Sequence, residues 1–351
     1  MLVSTQLISD LFNIDKPIIQ APMAGVQGSA LAIAVSEAGG LGSLPCAMLS
    51  PEALVNALTH IAESTAKPYN VNFFCHTSPI PKPEIEQHWQ ASLKPYYDQL
   101  GLSLNDIAAG AGRRPFDADT LALLNDFRPP VVSFHFGLPD DVFVDQLRRW
   151  GSKIISSATT LEEALWLEER GVDAVIVQGL EAGGHRGMFL TEDLSTQSGL
   201  FALLPQCVEA LSVPVIAAGG IANPQTVKAA MALGAAGVQV GTSYLLCPEA
   251  TTSAVHRQAL SSATPHTALT NLFSGRPARG IVNRVMRELG PISDLAPAFP
   301  LATAAIAPLR AVAEAHGSGD FSPLWAGQNR SGCQELPASE ITRWLVSQLM
   351  L

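Results

Sequence analysis

"VPVIAAGGIANPQTVKAAMALGAAGVQVGTSY", residues 213–244, decides the fold. Its first six residues are apolar and rich in β-formers, and they end in Gly219-Gly220. Asn223-Pro224 then opens a helical pattern that runs to Leu233 and is closed by Gly234, the order of signals expected for a capped helix. A second apolar run, 237–242, follows. Strands that are apolar throughout, instead of alternating, belong to a parallel sheet covered on both faces. The stretch therefore reads as one strand–helix–strand unit.

The same unit recurs upstream. Apolar runs at 17–21, 40–44, 69–74, 131–136, 153–157 and 174–178 bring the number of strands to eight. Most are followed by helical patterns, such as 160–170 closed by Gly171. Eight such units over about 250 residues predict an α/β fold, a (β/α)8 TIM barrel, since a doubly wound open sheet rarely needs so many. Two stretches exceed the repeat. Residues 79–125 are too long for one crossover and are expected to hold extra helices. Residues 251–351, rich in alanine and proline, are expected to form a mostly helical lid or substrate region with a C-terminal helix. The predicted division is a barrel over 1–250, carrying the 79–125 insertion, and a lid over 251–351.

Composition narrows the function. A formal charge of −10 and 47% hydrophobic content argue for a well-packed globular chain and against a nucleic-acid partner. The sequence has no eighteen-residue apolar run, so no membrane span is expected. Its N-terminus lacks the basic-then-apolar pattern of a signal peptide. Five well-separated cysteines without a CxxC pair read as reduced thiols of a cytoplasmic protein. Cys46 is expected to be core and not a nucleophile. The histidines show no metal-ligand spacing, and neither a GxSxG elbow nor HExxH occurs, so no metal is expected.

A barrel places its chemistry at the C-terminal ends of its strands. Gly219 and Gly220 before the helix at Asn223-Pro224, together with Gly241 and Thr242 after the eighth strand, suit a phosphate held on backbone N–H groups; tight turns alone are the alternative. Asn72 and Gln178 offer amides to a heterocycle, Gly183 and Gly184 offer close backbone approach, and Pro22-Met23 offers an apolar edge. One phosphate and one flat ring fit FMN. GxGxxG at the first turn and GxxxxGK[ST] are both absent, which argues against a Rossmann site or a P-loop. His185, after two glycines, suits proton transfer to a ligand lying on the ring. For His135, in "SFHFG", a structural role and a catalytic one are equally open.

Taken together, "QAPMAG" (20–25), "VNFF" (71–74), "FHFG" (134–137), "QGLEAGGHRG" (178–187), "AAGGIA" (217–222), "QVGTSY" (239–244), "FSGRPARG" (273–280) and "WAGQ" (325–328) resemble the nitronate monooxygenase family from about residue 15 to 330. The resemblance implies an FMN-dependent oxidation of alkyl nitronates, such as propionate-3-nitronate, by O2 to a carbonyl compound and nitrite, without NAD(P)H. It implies FMN contacts at Asn72, Gln178, Gly183, Gly220 and the run Gln239, Val240, Gly241 and Thr242, with Met23 near the ring and Gly219 in the phosphate loop. His185 would be the catalytic histidine, and His135 would help line the pocket. A nitronate and O2 are the expected partners, and a homodimer is left open. Some bacterial members also place tyrosines and a lysine from the C-terminal region in the pocket. Here the last lysine is Lys228 and only Tyr244 follows Tyr97, so Arg276 and Arg279 are the available cations, with ion pairing elsewhere equally open. An FMN-dependent enoyl-acyl-carrier-protein or quinone reductase on the same barrel, or a flavin-binding component of a larger complex, are the rival readings.

Overall fold

A computed structural model describes residues 3–108, 113–262 and 266–349. Eight parallel strands form the barrel: β1 (Ile18–Gln20), β2 (Gly42–Pro45), β3 (Tyr69–Phe74), β4 (Val131–His135), β5 (Lys153–Ala158), β6 (Ala174–Gln178), β8 (Val215–Ala218) and β9 (Gly237–Val240). The number β7 belongs to a two-residue strand outside it, Gly184–His185, which joins β10 (Thr267–Thr270) and β11 (Ala278–Ile281) in a small antiparallel sheet. The barrel closes where Ile19 pairs with Leu41, just ahead of β2. The sheet follows sequence order around the barrel, and surrounding helices cover it, as in a (β/α)8 TIM barrel.

Alternation along each strand divides the side chains between two cores. Ile18, Val132, Ile154, Val175, Val177, Ala217 and Val238 point outward beneath the helices. Ile19, Ile155, Ile176 and Ile216 fill the interior, where Ile8 and Phe12 of the N-terminal helix Val3–Phe12 join them. Toward the strands' C-terminal ends the interior turns polar. Asn70 Nδ2 donates to both Ser43 Oγ and Ser133 Oγ at 2.9 Å, and Gln27 Nε2 donates to the Ser43 carbonyl at 2.6 Å. A barrel core that changes from aliphatic to hydrogen-bonded along its axis has a defined mouth.

The helices begin where their capping residues stand. Thr160 accepts from Glu163 N ahead of Leu161–Glu169, and Asn223 accepts from Thr226 N ahead of Pro224–Ala232. Residues 79–125 contain helices Pro83–Leu100 and Ala118–Leu124 with a short 3-10 turn between them. Trp89, Leu93, Tyr96 and Tyr97 of the first share one core with Leu272, Phe273, Val285, Ile306 and Leu309. The insertion thus packs with residues from beyond the barrel, and the lid is assembled from two distant chain segments. The C-terminal helix Ala338–Leu345 instead returns to the barrel, where Ile341 and Leu345 lie in the main core. No helix among the described residues is long and apolar enough to cross a membrane.

Candidate active site

A cavity opens at the C-terminal mouth of the barrel and extends under the lid, enclosing about 1350 Å³ including the part open to solvent. Met23, Asn72, His135, Gln178, Gly183, His185, Gly219, Gly220, Gln239, Gly241 and Thr242 all line it. Val240 does not. It is 1% exposed and packs outward in the apolar core, because strand alternation that turns Gln239 inward must turn its neighbour away.

Loop glycines form one part of the wall. Gly219 and Gly220 adopt φ of +115° and +69°, a backbone that residues with a Cβ rarely reach. The N–H groups of Gly219, Gly220 and Ile221 find no protein acceptor among the described residues. The helix behind them contributes less than its position suggests. Thr226 Oγ1 takes the N–H groups of Ala222 and Asn223, and Asn223 caps Thr226, so the loop and not the helix end faces the cavity. Asn329, reaching in from the lid, donates to the Gly220 carbonyl at 2.9 Å. Thr242 Oγ1 accepts from Gly327 N at 3.0 Å. Gln239 Oε1 is buried and has no partner among the described residues, although it borders the cavity. A buried acceptor without a donor is costly, and a flavin ring N–H with a phosphate on the free glycine amides would satisfy both features. These residues fit FMN.

The two amides assigned to the ring are partly engaged by the protein. Asn72 Nδ2 donates to Ser133 Oγ at 2.9 Å. Gln178 Nε2 donates to the His185 carbonyl at 2.9 Å and its Oε1 accepts from Gly187 N at 2.8 Å, so this amide braces the turn that carries His185. Gly183 also has a structural task, since a Cβ there would stand 2.5 Å from the Ala326 carbonyl carbon. Its bare backbone lets the lid segment around Trp325–Gly327 press onto the turn.

Aromatic rings form the other part of the wall. His185 lies with ring centroids 5.3 Å from Phe299, 5.5 Å from Trp325 and 6.1 Å from Phe136. Its Nε2 is 2.8 Å from Ser274 Oγ, which also reaches the Arg276 carbonyl at 3.4 Å. That carbonyl can only accept, so in the tautomer with the proton on Nε2 the Ser274 hydroxyl turns to it and Nε2–H donates to Ser274. In that tautomer Nδ1 carries the lone pair, and no protein group among the described residues bonds to it. Burial, followed by the charge of Arg113, holds His185 well below the ordinary histidine pKa, so the ring is neutral at pH 7. His135, pushed down to about 4 mainly by burial, sits with Nε2 3.2 Å from the His185 carbonyl. Its ring occupies space that a Cβ on Gly187 would take. His135 thus fixes the main chain of His185.

Arg186, beside the histidine, is 0% exposed. It donates to the carbonyls of Gly179 (2.7 Å) and Gln178 (2.8 Å) and to Gln197 Oε1 (2.9 Å). Gln197 continues to Thr159, and Thr159 to the buried carboxylate of Glu163, which also accepts from Phe189 N at 2.6 Å. β7 pairs with β11 through His185 and Ala278, tying the same turn to the lid sheet. The turn is held from both sides.

Arg276 and Arg279 are absent from the cavity lining. Arg276 stacks over Phe136 at 4.1 Å and donates to the Met188 carbonyl, while Arg279 donates to the Leu180 carbonyl at 2.9 Å. The cation that does line the cavity is Arg113, from the insertion ahead of helix Ala118–Leu124. Arg113, Trp325 and Asn329 were not among the expected site residues. Cys46 is buried, with its thiol pushed far up by burial, which makes it core. Tyr244 is buried against Thr342, away from the cavity.

A family model described as nitronate monooxygenase matches residues 5–348. The chain is 41% identical over 351 residues to the nitronate monooxygenase of Pseudomonas aeruginosa, covering 98% of this chain and 99% of that protein. Among solved structures, nitroalkane oxidase from Streptomyces ansochromogenes superposes with a TM-score of 0.88 at 39% identity, covering 98% and 97% of the two chains. FabK from Thermotoga maritima is more distant, with a TM-score of 0.71 at 27% identity over 98% and 95%.

Proposed function

Starting from the premise that the chain belongs to the nitronate monooxygenase family, we propose that it binds FMN and uses O2 to convert alkyl nitronates to carbonyl compounds and nitrite. The observation that carries this reading is His185: a neutral imidazole in the cavity wall, Nε2 held by Ser274 and Nδ1 unengaged. When bound, FMN supplies the electron acceptor through which the nitronate's electrons reach O2. Gly219, Gly220, Ile221 and Thr242 would hold its phosphate, and Gln239 would accept from its ring. Met23 supplies an apolar edge.

The protein's own part is proton handling and exclusion of water. With a neutral nitroalkane, Nδ1 of His185 takes the α-carbon proton, and the C–H electron pair moves onto the nitro group to give the nitronate. The imidazolium then lies beside an anion that offsets its burial. With a preformed nitronate no proton need move, and His185 orients the anion. Phe74, His135 and Trp325 line the surrounding wall, and substrate seated against these rings displaces water, which strengthens electrostatic interactions there.

An anaerobic titration of the flavin-loaded protein tests the reading, with ethylnitronate and NADH in parallel cuvettes. Loss of the oxidised flavin absorbance on adding the nitronate, and nitrite release once air is admitted, is the expected result. Reduction by NADH alone would overturn it.

A further inference from the structure

We propose that Arg113 is the anion-recognising residue of this cavity, and that it takes a planar two-oxygen anion of the substrate. That anion is either the nitronate group itself or a carboxylate on its chain. The inference rests on the functional reading above, and assigns it a residue. Among the described residues lining the cavity, Arg113 is the one with a full charge, and none of them is acidic. Its guanidinium lies 5.5 Å from the centre of the Phe299 ring, the same ring that His185 approaches. One hydrogen bond fixes it: Nη1 donates to Thr303 Oγ1 at 2.9 Å, and that hydroxyl in turn donates to the Phe273 carbonyl at 3.0 Å.

No carboxylate among the described residues forms an ion pair with Arg113, and the charge that acts on it most is Arg310, of like sign. A half-buried cation without a counter-charge is unfavourable for the protein alone. It becomes favourable when an anion arrives. The rigid fork of a guanidinium matches two oxygens on one planar atom, which nitronate and carboxylate share. Arg186, Arg276 and Arg279 do not line the cavity and donate to main-chain carbonyls, which leaves this role to Arg113.

Arg113→Gln and Arg113→Lys in the flavin-loaded protein test the assignment. Sodium propionate and neutral propionamide serve as unreactive probes, with binding read from flavin absorbance or Trp325 fluorescence. The expected result is that R113Q weakens propionate at least tenfold while propionamide changes less than twofold, and that R113K recovers part of the loss. In turnover, KM for nitronates should rise by a similar factor and kcat change by less. A rise for ethylnitronate identifies the nitronate group as the anion; a rise confined to a nitronate bearing a carboxylate identifies the tail. Equal weakening of propionate and propionamide, or a wild-type protein that does not prefer propionate, would overturn the assignment. Should R113Q fail to fold, the wild-type preference and its change in R113K decide. A wild type that binds propionate selectively yet oxidises no nitronate would sink the functional reading and leave this one standing.

Discussion

Replacing Arg186 with methionine should loosen the turn that presents His185, and the size of the effect can be worked from its bonds. The side chain is fully buried and donates three hydrogen bonds of 2.7–2.9 Å, to Gly179, Gln178 and Gln197. Hydrogen bonds to a charged group contribute about 1.5–3 kcal/mol each, and methionine removes the Arg186 donor from all three acceptors, of which the Gly179 carbonyl keeps Ala182 N at 3.1 Å. Against this, removing the guanidinium relieves its own burial, which already pushes its pKa down to about 10. The three lost bonds, less the relief of the guanidinium's own burial, leave a net cost of about 3–5 kcal/mol. For a chain of 351 residues, an unfolding entropy near 2.1 cal/mol/K per residue gives about 1.4 °C per kcal/mol, so Tm should fall by roughly 4–7 °C. Calorimetry of the wild type and R186M at pH 7.5 measures this. Hydrogen exchange at 184–187 should rise as well, because Gln178 and the β7 pairing would be left to hold the turn. A Tm within 1 °C of wild type, with unchanged exchange there, would refute the clamp.

His185→Asn should retain bound flavin and lose turnover with neutral nitroalkanes by at least a hundredfold, but much less with preformed nitronates; equal losses would rule out a base role. Histidines 76, 135 and 256 are each pushed down to about 4 by burial, and His185 is lowered too. The unfolded chain therefore binds more protons than the folded one between about pH 6.5 and 4, and stability is complete above that window and falls as pH drops through it. One fully shifted histidine contributes up to about 1.4 kcal/mol per pH unit, less where the cavity admits water. Urea midpoints at pH 7.5 and 5.0 check the sign, and a higher midpoint at pH 5.0 would contradict it. Gly332→Ala should destabilise by at least about 2 kcal/mol, since its Cβ would overlap the Ala222 carbonyl oxygen and crowd Ser243; chemical denaturation indistinguishable from wild type would show that the lid segment is not pressed onto this loop.

The barrel was legible because its strands are buried on both faces, and a continuous apolar run as short as 174–178 or 215–218, set between helical patterns, suits a covered parallel strand better than any alternating one. The strand ends followed from it, and with them most of the cavity wall. Val240 was misplaced for a reason also present in the sequence: strand alternation sends it opposite to Gln239. What could not be read was long-range pairing. Arg113 lies in the non-helical stretch between the two helices of the insertion, and its partner Thr303 is 190 residues away. Arg276 sits in a family motif and looks exposed to substrate, yet cation–π stacking on Phe136 and the Met188 carbonyl absorb it. Gln178 likewise reads as a ligand amide until the turn it braces is visible.

The charge of the chain and the charge of the cavity have opposite signs, and this bears on what reaches the site. A net charge of −10 disfavours polyanions at long range. The cavity lining holds one guanidinium, neutral histidines, free glycine amides and, among the described residues, no acid. Surface charges are screened over about 8 Å at physiological salt, whereas partly buried ones are screened far less. A small anion that comes within that distance of the mouth therefore feels Arg113 and the amides more than the acidic surface. A polyanion spans both and is repelled. The protonation states sharpen the preference, because His76, His135 and His185 are neutral and so add no competing positive charge that would spread the field. The attraction stays concentrated on Arg113, which shares the Phe299 ring with His185, and there a nitronate's negative charge and a nitroalkane's acidic carbon would both have to be handled.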